Sequence, residues 1–505
     1  MLEISPSDIF ARLAFDNPWW EAGAQGKIAF ESAPRRKYFD LFFRGVQDRS
    51  VKRATVLMGP RRVGKTVMVY HAIRGLINAG VSPQDILYLS LETPIYTGLS
   101  LEKLLRFYIQ HFEHERTSVL TIFFDEIQYL KNWEVHLKSL VDSYPNYKFV
   151  VTGSAAAALR LKSNESGAGR FSDFILPPLT FAEYLMFIER EDELIEQVPK
   201  DDQTPHGGLD YIARNIDEVN REFVNYLNFG GYPEAVFSDA IRSDPSQYIK
   251  SDIIDKVLLR DLPSLYGISD IQELNRLFTT LAYNTGNEIS LEGLSQSSGV
   301  AKNTIKRYLE YLEAAFLIRR VERIDQNAKR FKRAMCFKVY LTNPSMRAAL
   351  FGQVGAHSEA IGALTETAIY SQWQHSQVSE LFYARWSGGE IDIVYLGGAD
   401  QRPLWAVEVK WSDRPDSSRS ELNNCVEFAN RNPKLIQPVL VTTRTVTRPD
   451  FMYQGIAFRF QPSSVYAYTL GANILRNFNQ INQQLVVPLS PPKEATDASV
   501  KSGDS

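Results

Sequence analysis

The stretch ATVLMGPRRVGKTVMVYHAIRGLIN, residues 54–78, decides the fold of this 505-residue chain. Its first five residues are apolar and predict a buried strand, and the amphipathic run that starts at Lys65 predicts a helix. The residues that join them fit the phosphate-loop pattern G-x-x-x-x-G-K-[ST], and they are Gly59, Pro60, Arg61, Arg62, Val63, Gly64, Lys65 and Thr66. A chance glycine-rich turn is the alternative, but it does not explain the flanking strand and helix.

Backbone N–H groups of such a loop close around phosphates at a helix N-terminus, so we expect these eight residues to bind ATP. Lys65 is expected to reach the β- and γ-phosphates, and Thr66 to bind magnesium. The apolar strand VLTIFFDE (119–126) then supplies Asp125 as a second magnesium ligand and Glu126 as the base that polarises the attacking water. Without the upstream loop, a solvated strand end would be the simpler interpretation.

Two further roles are predicted at this site. The strand KFVVTGS (148–154) places Thr152 and Ser154 where they could sense the γ-phosphate, although small polar residues also cap strand ends. An arginine is expected to neutralise charge in the transition state, and Arg170 in GAGRFSDF is the candidate. Arg260 in VLLRDL is the second choice. Either arginine could instead serve a surface ion pair.

Strands alternate with helical segments between about residues 54 and 154, which predicts a parallel sheet covered by helices. The apolar content of 44% and charged content of 23% are typical of a globular protein with several domains. We find no secretory signal and no apolar run of about 18 residues, and two cysteines are too few for a disulfide framework. A cytoplasmic protein without membrane contact is therefore expected. The net charge of −3 excludes a uniformly basic nucleic-acid surface.

Residues 289–321 have a helix-turn-helix rhythm, with LEGLSQSS as the first helix, Gly299 in the turn and a second helix from Lys302 to Phe316. Residues 302–338 hold eleven basic and four acidic side chains, a local surplus that favours DNA contact. Such a unit can also serve only for packing or dimerisation, with the basic run as a solvated face. The side chains expected to contact DNA lie in the first turns of the second helix and are Lys302, Asn303, Lys306 and Arg307.

Several motifs follow one another along the chain: NPWW (17–20), GPRRVGKT (59–66), IFFDEIQ (122–128), VVTGS (150–154), GRFSDFILPPLTFAEYL (169–185), YLNFGGYPEAV (226–236), VLLRDL (257–262), the helix-turn-helix, EIDIVYL (390–396) and WAVEVKW (405–411). In this order they resemble bacterial and archaeal AAA-family ATPases that carry a C-terminal restriction-endonuclease-like domain of unknown function. The resemblance implies a P-loop ATPase, a winged helical module and a nuclease-like fold.

The last two motifs resemble the site of restriction-type nucleases, which hold magnesium with an Asp and a Glu from adjacent strands and place a Lys two residues beyond the Glu. Asp392, Glu408 and Lys410 fill these positions if their strands pair as a hairpin. Glu366, in the helical segment LTETAIYSQW, matches the helix glutamate of such sites and suits magnesium. The alternatives are a retired site, an ordinary Glu408–Lys410 ion pair, or a fold that binds DNA without cutting it.

The predicted organisation is α/β throughout: an N-terminal segment (1–50), a P-loop ATPase domain with an AAA-like sheet (51–220), a helical lid or linker (221–285), a winged helix-turn-helix (286–350), a restriction-endonuclease-like domain (351–485) and a disordered tail (486–505). We expect a magnesium-dependent ATPase whose nucleotide state controls DNA binding and a nuclease-like domain; homo-oligomerisation is left open. The alternative is a nucleotide-switched DNA-binding or scaffold protein with an inactive nuclease-like domain.

Overall fold

The structure is a computed structural model. It describes residues 5–21, 28–96, 98–153, 169–198, 210–329, 336–374, 380–397 and 400–484. The predicted disordered tail and Ser154 lie outside these residues. Within the described part of the chain, no helix is long and apolar enough to cross a bilayer.

The N-terminal half is built on a parallel sheet covered by helices. Its strands are β1 (Ala54–Met58), β2 (Ile86–Ser90), β3 (Thr121–Asp125), β4 (Lys148–Gly153) and β5 (Phe171–Ile175). The helices of this part are α1 (Pro6–Asp16), α2 (Phe39–Gln47), α3 (Lys65–Asn78), α4 (Leu101–His111) and α5 (Trp133–Ser143). The strand order β2-β3-β4-β1-β5 is parallel throughout, which confirms the prediction. The carboxyl ends of β1 and β3 therefore meet at one edge.

The N-terminal segment packs against β2 of this sheet. The Asn17 side chain accepts from the backbone N–H of Tyr88 at 2.6 Å and donates to its carbonyl oxygen at 2.8 Å. The indole nitrogens of Trp19 and Trp20 both donate to the carbonyl oxygen of Ile86, at 3.3 and 2.9 Å. The NPWW motif thus hydrogen-bonds to the backbone of β2 at the edge of the sheet and covers it. A covered edge cannot pair with the strand of another chain.

A helical region follows the first sheet. Its elements are α6 (Phe181–Phe187), α7 (Glu191–Leu194), β6 (Ile195–Val198), β7 (Asp210–Ala213), α8 (Ile216–Phe229), α9 (Pro233–Phe237), α10 (Asp239–Ser243), α11 (Pro245–Tyr248), the π-helical turns Ile249–Asp255 and Val257–Asp261, α12 (Leu262–Tyr266) and α13 (Ile271–Tyr283). Helix α8 runs across the boundary predicted at residues 220 and 221. It ends at Phe229 and is followed by Gly230 and Gly231. Position 231 requires glycine, because a Cβ there would lie 2.2 Å from the Asn343 side chain.

The rest of the chain forms a second, mixed sheet. Its elements in chain order are β8 (Glu288–Ser290), α14 (Leu291–Ser298), α15 (Lys302–Ala314), β9 (Ile318–Ile324), β10 (Cys336–Leu341), α16 (Ser345–Phe351), α17 (Ile361–Trp373), β11 (Leu381–Trp386), β12 (Gly389–Gly397), β13 (Arg402–Glu408), α18 (Arg414–Ser417), α19 (Asn423–Arg431), β14 (Val439–Thr443), β15 (Arg448–Tyr453), β16 (Ile456–Pro462) and α20 (Ser463–Gln484). The nine strands follow the order β15-β16-β14-β13-β12-β11-β9-β10-β8. Strand β11 pairs in parallel with β9, so one sheet crosses the boundary predicted at residues 350 and 351.

The last helix returns to the first half of the chain. Helix α20 packs against α6, where a Cβ at Gly471 would lie 2.8 Å from the Thr180 side chain. The Tyr468 hydroxyl donates to Glu191 at 2.7 Å. The two halves of the chain therefore share a contact surface that depends on a small residue at position 471.

Candidate functional site

The phosphate loop joins the carboxyl end of β1 to the N-terminus of α3. A Cβ at Gly59 would lie 2.1 Å from the carbonyl oxygen of Leu176, so the close approach at this turn requires glycine. Gly64, the N-cap of α3, has a φ of +93°, in the left-handed region that favours glycine. The loop therefore wraps closely around a helix N-terminus, the arrangement that binds phosphate.

Lys65, the first residue of α3, folds its side chain back over the loop. Its Nζ donates to the carbonyl oxygens of Gly59 and Pro60 at 3.1 and 2.7 Å. Burial lowers the pKa of the Lys65 ammonium group, while the nearby carboxylates of Glu126 and Asp125 act in the opposite direction. The ammonium group thus lies within the predicted phosphate loop and in the field of both predicted catalytic carboxylates.

Asp125, at the end of β3, accepts hydrogen bonds from three hydroxyl groups. Thr66 and Tyr88 donate to its Oδ2 at 3.0 and 2.8 Å, and Thr152 donates to its Oδ1. Burial, followed by the charge of Glu126, raises the pKa of Asp125. The Thr66 hydroxyl and the Asp125 carboxylate are adjacent hard oxygen donors, so these residues fit magnesium. Tyr88 was not predicted; its only signal in the sequence is a hydroxyl in the middle of β2, between apolar neighbours.

Glu126 follows β3 directly and adopts a left-handed φ of 55°. Its backbone N–H donates to the Thr152 hydroxyl at 3.0 Å, and the Gln128 amide donates to its carboxylate. Because Thr152 bonds both Asp125 and the Glu126 backbone, it fixes these two residues relative to each other. A direct role of Thr152 toward a γ-phosphate stays a prediction.

Carboxylates from the helical region hold both arginines of the phosphate loop. Arg61 forms a bidentate pair with Asp261 at 2.8 and 2.9 Å. Arg62 contacts Glu234 at 3.1 Å and Asp252 at 2.9 Å. The segments FGGYPEA and VLLRDL supply two of these carboxylates, a contact that the sequence pattern did not predict. The region that was predicted to be a lid therefore lies directly on the loop.

A buried ion pair supports the loop from the other side. Arg36 bonds Glu183 through two nitrogens, at 2.8 and 3.0 Å, and both side chains are buried. The same guanidinium donates to the carbonyl oxygens of Val63 and Pro177 at 2.8 and 3.0 Å. The only signal in the sequence was the basic run PRRK (34–37), which gives no indication of a distant carboxylate partner.

The predicted role of Arg170 in the same chain is wrong. Its carbonyl oxygen accepts from the N–H of Ala54, at the start of β1, and its side chain pairs with Asp142 at 2.6 Å. Since the phosphate loop follows the other end of β1, Arg170 lies about 16 Å away along the strand. Arg260 is nearer to the site, because it precedes Asp261 and its guanidinium lies 5.9 Å from the ring centroid of Tyr129.

The second group of predicted site residues lies on the nine-stranded sheet. Strands β12 and β13 pair antiparallel with Ile393 opposite Val407, a register that places Asp392 opposite Glu408. Lys410 Nζ donates to Glu408 Oε1 at 2.6 Å, while the buried Glu408 Oε2 has no hydrogen-bond partner among the described residues. Burial, followed by the charge of Asp392, raises the pKa of Glu408 to about 8. The predicted hairpin pairing thus brings Asp392, Glu408 and Lys410 together.

Glu366 on α17 joins the same cluster, but so does an unpredicted lysine. Lys338 on β10 contacts Glu366 at 2.8 Å, Glu390 at 2.5 Å and Asp392 at 3.3 Å. Among the described residues, no group of three or more Asp, Glu, His or Cys side chains has the geometry of a metal site. Ammonium groups already pair with the three residues that were predicted to bind magnesium, because Lys338 contacts Glu366 and Asp392 while Lys410 contacts Glu408. This arrangement does not fit a divalent cation.

The predicted recognition helix is α15, which ends at Ala314 because Phe316 has a left-handed φ of 57°. Lys302, Asn303, Lys306 and Arg307 are exposed on its N-terminal half, and Lys302 pairs with Glu292 of α14. The basic surplus that supported DNA contact includes Lys338, which is buried in the carboxylate cluster. The surface charge is therefore smaller than the sequence suggests.

Comparisons with known proteins support a nucleotide site at the phosphate loop. Residues 51–185 match the family model of an AAA domain, and residues 220–356 match a domain of unknown function (DUF8612). Residues 51–185 are therefore similar to an AAA domain, and the parallel sheet and the phosphate loop both lie in this part of the chain. The second match leaves the winged-helix and nuclease-like predictions untested.

Three individual proteins illustrate how distant the relatives are. An uncharacterised protein of Haemophilus influenzae is 26% identical over 312 residues, which are 60% of this chain and 70% of that protein. An uncharacterised protein of Methanocaldococcus jannaschii is 23% identical over 354 residues, 68% of this chain and 72% of that protein. The solved Walker-type ATPase of Pyrococcus abyssi is 16% identical with a TM-score of 0.38; the match covers 66% of this chain and 99% of that one.

Proposed function

We propose that the protein is a magnesium-dependent ATPase whose nucleotide state controls DNA binding. The observation that carries the ATPase proposal is the convergence at one sheet edge of Lys65, the Thr66–Asp125 pair at 3.0 Å, and Glu126. Magnesium held by Thr66 and Asp125 would neutralise charge on the phosphate oxygens.

The side chains of the chain itself have separate roles in this proposal. Lys65 exchanges its bonds to the Gly59 and Pro60 carbonyl oxygens for bonds to the β- and γ-phosphates. Glu126 orients the attacking water and accepts its proton, and Thr152 holds Glu126 at the correct distance from Asp125. Arg36 and Glu183 keep the loop in the shape that receives the phosphates.

The link from nucleotide to DNA runs through the helical region. Arg61 and Arg62 belong to the phosphate loop, yet they bond carboxylates of residues 234–261. ATP phosphates are competing anions for both arginines, so binding or hydrolysis of ATP would move this region. Helix α13 follows it in the chain and packs against α15, whose exposed residues Lys306 and Arg307 are proposed to contact DNA phosphates.

The competing proposal is a nucleotide-switched DNA-binding or scaffold protein that hydrolyses ATP negligibly. For the nine-stranded sheet we favour a role in which it does not cut DNA, because the cluster does not fit the metal that cleavage would require. Both proposals include the contacts between the phosphate loop and the helical region. The rate of ATP hydrolysis is therefore the measurement that separates them.

The test is phosphate release from ATP in the presence of magnesium. Wild type should release phosphate, Lys65→Ala should lose ATP binding or hydrolysis, and Glu126→Gln should bind ATP but release phosphate at least about a hundredfold more slowly. Glu310→Gln, an exposed position on α15, is the matched control and should behave as wild type. Equal phosphate release by wild type and Glu126→Gln would contradict the ATPase proposal.

A further inference from the structure

The carboxylate cluster on the nine-stranded sheet contains its own cation. The Lys338 side chain is only 4% exposed, and its Nζ lies 2.5 to 3.3 Å from oxygens of Glu366, Glu390 and Asp392. An ammonium group has three donor hydrogens and no acceptor, so three carboxylates match its hydrogen-bonding capacity. The Tyr383 ring, with its centroid 5.4 Å from Nζ, closes one side.

Other internal donors occupy most of the oxygens that a metal would need. Asp392 Oδ2 accepts from the backbone N–H of Val409 at 2.9 Å, and Glu366 Oε1 also accepts from the Tyr340 hydroxyl at 2.5 Å. Glu408 Oε1 is bonded to Lys410. Magnesium prefers near-octahedral coordination by oxygens, and it would have to enter beside two positive charges.

We propose that Lys338 is the resident cation of this cluster and that it takes the place of a divalent metal. It joins β10 to α17 and β12. Lys338 therefore connects the strand that follows α14 and α15 to the C-terminal part of the same sheet. The nuclease-like arrangement of Asp392, Glu408 and Lys410 is therefore structural in the wild-type protein. Removal of the Lys338 charge should convert the cluster into a divalent-cation site, because the buried carboxylates of Glu366 and Asp392 would then lack their counterion.

The experiment is a titration of the full-length protein with Mn²⁺, without nucleotide, in which free Mn²⁺ is followed by electron paramagnetic resonance. The proteins compared are wild type, Asp392→Asn, Lys338→Gln and the double variant Lys338→Gln/Asp392→Asn. Lys103→Gln, which removes an exposed lysine of α4, is the matched control. Circular dichroism verifies that each variant is folded.

The expected result is that wild type, Asp392→Asn and Lys103→Gln bind Mn²⁺ identically. Lys338→Gln should gain one Mn²⁺ equivalent per chain, at least about tenfold tighter than any wild-type binding, and the double variant should lose it. The proposal is overturned by a wild-type Mn²⁺ site that Asp392→Asn removes, or by a folded Lys338→Gln that gains none. The wild-type comparison decides the question even if Lys338→Gln does not fold.

This experiment is independent of the ATPase proposal. Thr66 and Asp125 are unchanged in every variant, so any Mn²⁺ that they bind is common to all of them. A failure of the Lys338 proposal would leave phosphate release unaffected, and a failure of the ATPase proposal would leave the Mn²⁺ titration unaffected.

Discussion

At the scale of single residues, the nucleotide site depends on hydroxyl groups that surround one carboxylate. Thr66 and Asp125 belong to motifs with a known spacing, so the sequence alone predicted them. Tyr88 completes the set from a neighbouring strand, because β2 and β3 pair with Tyr88 beside Phe123. No local pattern marks a tyrosine for such a contact; it arises only from the pairing of two strands far apart in sequence.

Tyr88→Phe removes one hydroxyl donor to Asp125 and leaves the ring packing intact. We expect the Mg²⁺ concentration for half-maximal phosphate release to rise roughly tenfold, since a hydrogen bond to a charged group contributes about 1.5 kcal/mol or more. Tyr147→Phe is the control, because its hydroxyl bonds the carbonyl oxygen of Glu115 away from the site. An unchanged magnesium dependence in Tyr88→Phe would show that the hydroxyl does not position Asp125.

The buried carboxylates of the second sheet make a residue-scale prediction about pH. Burial, followed by the charge of Asp392, raises the pKa of Glu366 to about 7 and that of Glu408 to about 8, from ordinary values of 4.5. Folding therefore favours their protonated forms, and this contribution to stability is lost as the pH rises from about 4.5 through 8.

We accordingly expect the free energy of unfolding to fall between pH 5 and pH 9, as measured by urea denaturation. Glu408→Gln mimics the protonated form and should flatten part of this decline and raise stability at pH 9. Glu359→Gln, at an exposed position, should keep the wild-type profile. A Glu408→Gln profile parallel to wild type would contradict the raised pKa of Glu408.

At the scale of elements, ion pairs join the phosphate loop to the helical region. The sequence predicted a lid from its helices and its Gly-Pro turn, but it did not predict the partners. Arg61 and Asp261 are 200 residues apart, and only the tertiary fold brings them together. The same limit applies to Lys338, which was interpreted as part of a basic surface because its carboxylate partners lie on other elements.

Asp261→Asn should weaken the contact between the helical region and the phosphate loop, because it removes the charge that pairs with Arg61. We expect amide hydrogen exchange in Val257–Tyr266 to accelerate about tenfold, because a half-buried bidentate pair is lost. Asp255→Asn, on the preceding π-helical turn, is the control and should change exchange less. If exchange in Val257–Tyr266 is the same in both variants, the Arg61–Asp261 pair does not hold the lid.

At the scale of the whole molecule, local patterns predicted the first sheet better than the second. The strands of the first sheet are apolar runs separated by helices. Parallel strands that are joined by helices have only a few possible arrangements, so the pattern predicts the sheet well. The second sheet joins β9 to β11 across two helices and more than fifty residues, and no periodicity specifies that pairing. The sequence therefore suggested two separate units where the structure has one continuous sheet.

The central claim is that the nucleotide bound at the phosphate loop controls DNA binding by α15. The most direct measurement is the DNA dissociation constant at fixed salt, by fluorescence anisotropy of a labelled duplex, for Glu126→Gln held with ATP and for wild type with ADP. We predict values that differ at least about tenfold, no nucleotide dependence in Lys65→Ala, and weaker binding in both states when Lys302, Lys306 and Arg307 are changed to Glu. Equal dissociation constants in the ATP and ADP states would contradict the account.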